Sequence, residues 1–229
     1  MPSSSIIAID GPVASGKTSV GKRLAEKLGY LFFDTGVMYR AVTYLALREL
    51  GSVRDVQAVA ALAQRSAIDV QPPSADDGRD YTVLGGAAGE DITWAIRTPE
   101  VESHVSPVSA IPQVRQCLTE QMRRIAGKGK VVMVGRDIGT VVLPEADLKV
   151  FLTASVEARA WRRFLETQAR GETRAYASIL TNLRERDQID SSRVVAPLRP
   201  ADDAVMLDTT DLDLPGVVRA IEALVAERR

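Results

Sequence analysis

The sequence has a single cysteine, Cys117, in 229 residues. One thiol cannot close an internal disulfide, and it cannot supply a cysteine-based zinc site. Cys117 therefore reads as a small core residue of a helical stretch. Histidine is equally scarce: His104 stands alone and reads as a surface or satisfied polar residue. Aromatic residues make up 5% of the chain, and the formal net charge is −1. So neutral a chain, so poor in stacking rings, gives no reason to expect nucleic acid or a membrane surface as partner. No apolar run approaches the ~20 residues that a membrane helix needs. The first residues lack the basic segment and long apolar core of a secretory leader. There is no internal repeat and no low-complexity tract. What remains is ordinary for a globular protein, with 45% hydrophobic and 26% charged residues. The expectation is a cytoplasmic, monomeric enzyme.

The stretch that organises the chain is Gly11-Pro12-Val13-Ala14-Ser15-Gly16-Lys17-Thr18. It fits G-x-x-x-x-G-K-[ST], the phosphate-binding P-loop. Ile6 to Ile9 before it reads as a buried strand, and Val20, Leu24 and Leu28 after it recur at helical spacing, with Gly29 as a stop. Strand, glycine-rich turn and helix is the context that this motif requires. Gly11 and Gly16 permit backbone shapes that a Cβ would obstruct. The loop amides can then surround phosphate oxygens at the positive end of the helix. Lys17 is suited to the β- and γ-phosphates of ATP, and the Thr18 hydroxyl to Mg²⁺.

Further along, Tyr30 to Phe33 reads as a second strand, followed by Asp34-Thr35-Gly36 and a helix from about Val37 to Leu50. Asp34 or Thr35 can cap that helix. Arg40 falls near its first turn, where a cation opposes the helix dipole; an anion contact would account for it, and a surface arginine is the plainer alternative. A helix over about Val53 to Ser66 leads into Gln71 to Asp91, rich in Pro, Gly and Asp. The short runs Ile68 to Val70 and Tyr81 to Leu84 make this a small insert of antiparallel strands. Ile96 to Arg124 reads as helix broken at Pro107 and Pro112. Further strands are expected at Lys130 to Val134, Leu148 to Leu152 and Val205 to Leu207, with a final helix over Leu214 to about Glu227. Strands alternating with helices define an α/β protein with a mainly parallel sheet of five strands. Functional side chains of such sheets gather at the carboxyl ends of strands, where Arg136 and Asp137 stand.

From Arg159 to Arg199 there are nine arginines, and no lysine follows Lys149. Arg159, Arg162 and Arg163 share one helix face. A polyphosphate would turn their mutual repulsion into charge-assisted bonds. A solvated face balanced by Glu157, Glu166 and Glu185 would explain some of them. About four are expected to touch phosphate.

Taken together, these stretches resemble the bacterial cytidylate kinase family. The likeness is carried by Ile9-Asp10-Gly11-Pro12 through Lys17, Asp34-Thr35-Gly36 with Tyr39-Arg40, Arg97 to Val101, Gly135-Arg136-Asp137-Ile138-Gly139-Thr140-Val141-Val142, Arg186-Asp187 and Arg193 to Leu198. It spans almost the whole chain. The resemblance implies an adenylate-kinase-like P-loop fold, with a core of residues 1–34, 97–155 and 191–229. It also implies a monophosphate-binding region at 35–96 with a β insert at 67–94, and an arginine-rich helical lid at 156–190. The implied reaction is transfer of a phosphoryl group from ATP to CMP or dCMP with Mg²⁺. Thr35 and Arg40 match positions that contact the monophosphate. Ser106, Arg115 and Asp137 match those that read cytosine, which suits a base with O2 and N3 acceptors and an N4 donor. Arg136 and Arg193 match acceptor-phosphate contacts, and Arg186 and Asp190 match positions near phosphate and ribose. Arg159, Arg162 and Arg163 resemble lid arginines. In the family a carboxylate often precedes Gly-Arg-Asp and supports Mg²⁺ through water; here Val134 stands there, which leaves Asp10, or phosphates and water, for that role.

Two other functions fit the P-loop: a kinase for a different nucleoside monophosphate or small metabolite, and a nucleotide-hydrolysing switch with no acceptor. The arginine-rich segment speaks against the switch, because a second anionic substrate gives that charge a purpose.

Overall fold

A computed structural model describes residues 6–228 of the chain. Its elements in chain order are strand β1 (Ile6–Asp10), helix α1 (Lys17–Leu28), β2 (Leu31–Asp34), α2 (Gly36–Leu50), α3 (Val56–Arg65), β3 (Asp69–Gln71), β4 (Thr82–Gly85) and β5 (Glu90–Asp91). They continue with α4 (Pro99–Ala110), α5 (Pro112–Ala126), β6 (Val131–Gly135), β7 (Leu148–Thr153), α6 (Val156–Ala169), α7 (Tyr176–Ser191), β8 (Val205–Asp208) and α8 (Leu214–Glu227). The order of strands in the five-stranded sheet is β2-β6-β1-β7-β8. The chain forms two compact units. One runs up to Tyr30 and resumes at Val132, and the other is Leu31–Val131.

In the first unit β1 runs parallel to β7, with Ile7 opposite Leu148 and Asp10 opposite Phe151. β7 runs parallel to β8, with Val150 opposite Val205 and Thr153 opposite Asp208. Every residue of β6 is buried, as are all but the first of β1 and all but the last of β7. That is why these strands read as continuous apolar runs rather than alternating ones. β8 alternates half-buried and exposed residues, as suits an edge. The parallel register brings Asp10, Thr153 and Asp208 to one end of the sheet. Helix α1 stops where Gly29 turns left-handed (φ 67°), and the Tyr30 amide reaches back to the Ala25 carbonyl at 2.9 Å.

The second unit packs α2 to α5 with the three-stranded sheet β3-β4-β5. Its strands are antiparallel, Val70 facing Val83 and Leu84 facing Asp91. This is the small β insert that the sequence led us to expect. Leu45, Leu62, Ile68, Ile92, Leu118 and Met122 are among its buried core side chains. A Cβ on Gly85 would lie 2.6 Å from Ile92 Cδ1, so a larger residue at this strand position would require the Ile92 side chain to move. The aspartate-rich turn is not loose. Arg79 pairs with Asp77 and Asp91, and Trp94 Nε1 donates to Asp77 Oδ2 at 2.9 Å.

Two expectations need correction. Pro107 does not break a helix but lies inside α4, while the break falls at Ile111, extended at ψ 118° before Pro112. A residue ahead of proline is driven out of the helical region, and proline is well placed in a first turn; the interior Pro107 is tolerated because Val101, Val105 and Val108 anchor the helix by burial. Helix α3 begins at Val56 rather than Val53, since the Asp55 side chain accepts the Ala58 amide as its cap. Among the described residues, no helix is long and apolar enough to cross a membrane.

Candidate active site

β1 delivers the chain into a loop with three positive φ angles: Gly11 at 150°, Ala14 at 59° and Gly16 at 92°. These turn the backbone back on itself between strand and helix, and a run of amides so turned makes an anion-binding concavity. Gly11 is forced by its surroundings, because a Cβ there would lie 2.1 Å from the Leu152 carbonyl oxygen of the neighbouring strand. Helix α1 starts at Lys17 with no acidic residue in its first turn, so its positive end is left for an anion. Lys17 is buried and curls over the loop, Nζ donating to the Pro12 carbonyl at 2.6 Å with Ser15 Oγ at 3.5 Å. Thr18 beside it is exposed.

Asp10 is buried at the last position of β1. Its Oδ1 accepts the Ile138 amide at 2.8 Å and its Oδ2 the Gly139 amide at 2.7 Å. Burial pushes its carboxyl up to about 6, opposed by those two amides, raised further by the Asp137 carboxylate and lowered by the Lys17 ammonium. Residues Ile138–Val142, just past β6, wind as a π-helical turn.

The same unit gathers the arginines. Arg136 Nε donates to Asp190 Oδ2 at 2.9 Å, and Arg193 pairs with the other oxygen of that carboxylate. The end of β6, the end of α7 and the loop after it thus meet at one buried aspartate. Arg159 is buried and engages on every side. Its Nε donates to the Ala154 carbonyl at 3.0 Å, Nη1 to the Val13 carbonyl of the P-loop at 3.1 Å, and both terminal nitrogens to Asp187 at 3.1 and 2.6 Å. Arg162 Nη1 donates to Thr209 Oγ1 at 3.1 Å, and its Nη2 to the Thr209 carbonyl. Arg163 pairs with Glu166 at 3.1 Å and Arg184 with Glu157 at 3.1 Å, on exposed helix faces. Arg186 is half-buried on α7, beside Asp187. Beneath these helices lies an apolar cluster of Ala160, Ile179 and Leu183, against which Val13 and Ala14 of the P-loop pack.

In the second unit Thr35 is buried ahead of α2, and its carbonyl, not its side chain, accepts from the Met38 amide at 3.1 Å. The Asp34 side chain accepts the Gly36 amide at 3.0 Å instead. Arg40 Nη1 points to the Ile96 carbonyl at 3.5 Å. Ser106 and Arg115 are linked through Ser109, whose hydroxyl donates to the Ser106 carbonyl at 2.9 Å and whose carbonyl accepts Arg115 Nη1 at 3.0 Å. The buried Arg115 guanidinium lies over the Tyr39 ring, 5.3 Å from its centroid. Sequence reasoning gave Tyr39 no role, and its position one residue before Arg40 is the only signal of one. Arg97 was also left without a role. It sits between Tyr81 and Trp94, 5.5 and 5.0 Å from their ring centroids. Burial, with the Asp34 carboxylate nearby, raises the Tyr81 phenol well above its usual value, against the opposing pull of Arg97 and Arg40. His104 is satisfied locally, Nδ1 lying 2.8 Å from the Glu100 carbonyl. Cys117 Sγ donates to the Ala63 carbonyl at 3.2 Å.

Among the described residues no cluster of three His, Cys, Asp or Glu side chains could hold a metal. The exposed Thr18 hydroxyl, next to Lys17 at the start of α1, is a hard oxygen donor of the kind that suits Mg²⁺.

The family model described as "Cytidylate kinase" matches residues 7–227. A cytidylate kinase from Herpetosiphon aurantiacus is 48% identical over 219 residues, 96% of this chain and 93% of the relative. One from Streptococcus uberis is 47% identical over 216 residues, 94% of this chain and 93% of the relative. Among solved structures, an uncharacterized protein from Eubacterium ventriosum shares the fold, with TM-score 0.54 and 13% identity over 97% of this chain and 98% of that one.

Proposed function

Because the chain belongs to the cytidylate kinase family, we propose that it transfers the γ-phosphoryl group of ATP to CMP or dCMP, giving ADP and CDP or dCDP. The observation that carries this reading is one unit holding both a P-loop, with its ammonium folded over the loop, and a pair of arginines, Arg136 and Arg193, held on the Asp190 carboxylate.

The ATP phosphates lie on the amides of Gly11 to Thr18, and Lys17 Nζ exchanges the Pro12 carbonyl for phosphate oxygens. The exposed Thr18 hydroxyl and the phosphates themselves hold Mg²⁺, which when bound neutralises charge on the triphosphate. The CMP phosphate is taken by Arg136 and Arg193, with Thr35, Arg40 and Arg186 contributing, and Asp190 lies toward the ribose. Arg115 and Ser106 donate to O2 and N3 of cytosine, and Asp137 accepts from the 4-amino group. No general base is needed, since the attacking oxygen of CMP is already anionic. Arg162, Arg163 and Arg186 stabilise the charge spread over the transferred group. Arg159 acts on the same step through the P-loop carbonyl that it grips. Closure of α6 and α7 over the nucleotide excludes water and so suppresses hydrolysis. The enzyme works as a monomer in the cytoplasm.

The test is ADP release with ATP and Mg²⁺ against a panel of nucleoside monophosphates. CMP and dCMP should stimulate it most. Preference for another acceptor, or ADP release indifferent to CMP, would overturn the reading.

A further inference from the structure

We infer that Asp10 is a positioning residue: it ties the strand that opens into the P-loop to the turn that presents Arg136 and Asp137, and so sets the geometry of the acceptor site. The inference rests on the proposed reaction only for what Asp137 and Arg136 bind.

Both carboxylate oxygens are engaged with main-chain amides, Ile138 at 2.8 Å and Gly139 at 2.7 Å, across 128 and 129 residues of chain. Those amides open the π-helical turn Ile138–Val142, whose own preceding residue, Asp137, provides no side-chain cap. Asp10 therefore does from another strand what a capping side chain does locally. The turn needs this support. Asp137 sits at φ −147°, ψ 26°, and its carbonyl accepts from both Val141 at 2.9 Å and Val142 at 3.1 Å. A π-helical turn is rare and occurs mostly as a single turn at functional sites.

The packing points the same way. A Cβ on Gly139 would lie 3.1 Å from Lys149 Cδ and 3.5 Å from Asp10 Oδ2. The turn is thus pressed between a buried carboxylate and the stem of a buried lysine whose Nζ reaches Asp203 at 2.8 Å. The charged groups acting on Asp10 are Lys17, which favours its anion, and Asp137, which opposes it. Keeping a carboxylate ionised here costs stability, which fits a group retained for what it holds in place. With both oxygens spoken for, Asp10 is a poorer candidate for supporting Mg²⁺ through water than its place beside the P-loop suggests.

The experiment compares wild type with Asp10→Asn, whose amide keeps one acceptor and turns an N–H₂ toward the second main-chain amide. The positioning role has two signatures. Hydrogen exchange at the Ile138 and Gly139 amides should quicken at least tenfold while β1 and β7 stay protected. KM for CMP should rise about tenfold or more, with discrimination against UMP narrowed, while KM for ATP and the Mg²⁺ dependence move less than twofold. Unchanged exchange at those two amides would overturn the inference, and so would a defect confined to ATP and Mg²⁺. If Asp10→Asn does not fold, Gly139→Ala, which keeps the carboxylate but crowds the turn against the Lys149 stem at 3.1 Å, should show both signatures in weaker form, and their absence there would overturn the inference too. A wild-type protein that ignores CMP would sink the proposed function instead, and the exchange arm would still decide whether Asp10 holds the turn.

Discussion

Alanine at Gly11 should damage the protein far more than alanine at Gly16, although both glycines belong to one motif and both have positive φ. The Gly11 Cβ would lie 2.1 Å from the Leu152 carbonyl oxygen. A carbon next to a carbonyl oxygen normally approaches no closer than about 3.3 Å. The two strands would have to part by about 1.2 Å at the point where Asp10 faces Phe151. Forcing atoms into a packed interior costs about 1–3 kcal/mol, and a strained φ for a residue with a Cβ adds about 1 kcal/mol or more. The sum is about 2–4 kcal/mol. At Gly16 no heavy atom lies within 4 Å of the added Cβ, so backbone strain of about 1–2 kcal/mol is the whole effect. For a chain of this size, 1 kcal/mol corresponds to about 2–4 °C in Tm. Gly11→Ala should therefore lower Tm by on the order of 10 °C and Gly16→Ala by about 4 °C. Circular dichroism melts without nucleotide read both. Equal shifts, or a larger one for Gly16→Ala, would refute the account of the loop as a shape imposed by the strand beside it.

Other predictions concern single groups. Lys17→Ala should lower kcat by a factor of about 10³ or more with Tm nearly unchanged, because its main task is charge stabilisation in the transition state; steady-state kinetics with CMP checks this. Arg115→Ala should raise KM for CMP at least tenfold and leave KM for ATP nearly intact, and an equal loss for CMP and UMP would contradict a base-reading role. Folding stability should rise as pH falls from about 7 to 4. Asp10 titrates near 6 in the folded chain against 3.8 unfolded, so between those values the native state holds a proton that the unfolded chain has released. The gain is about 3 kcal/mol. Asp77, Asp91, Asp203 and Asp208 are all held below the usual carboxylate range, so their stabilising contributions fade only under about pH 4. Urea midpoints across this range should show the rise in wild type and a flatter curve in Asp10→Asn.

The elements that a reader of the sequence could place are those whose cause is local. The P-loop is a contiguous motif, β6 and β7 are short apolar runs, and α8 spans the residues that its stripe of Val217, Val218 and Ile221 announces. Two of the insert's three strands, β3 and β4, were legible because Pro72-Pro73 and Gly85-Gly86 follow their β-branched runs, whereas the two-residue β5 (Glu90–Asp91) carries no such run. What could not be read is set by contacts distant in the chain. In the sequence Asp187 and Asp190 stand next to Arg184, Arg186 and Arg193, yet in the fold they also meet Arg159 and Arg136 from 28 and 54 residues away. The arginine spacing showed a shared helix face but not that Arg159 turns inward while Arg163 pairs with Glu166 at the surface. Pro107 misled because helix-breaking is a local preference that burial of three valines overrides. The π-helical turn after β6 has no sequence signature of its own; it exists where Asp10 caps it.

The Val13 carbonyl is gripped by an arginine of α6, and the Gly11 backbone lies against that of β7. A synthetic peptide of residues 6–29 would carry the whole motif and neither of these braces, so it should bind triphosphate no better than any short cationic segment. Conversely, any tilt of α6 must tug on the bowl in which the donor phosphates rest, which makes the arrival of that helix an event that the P-loop can feel.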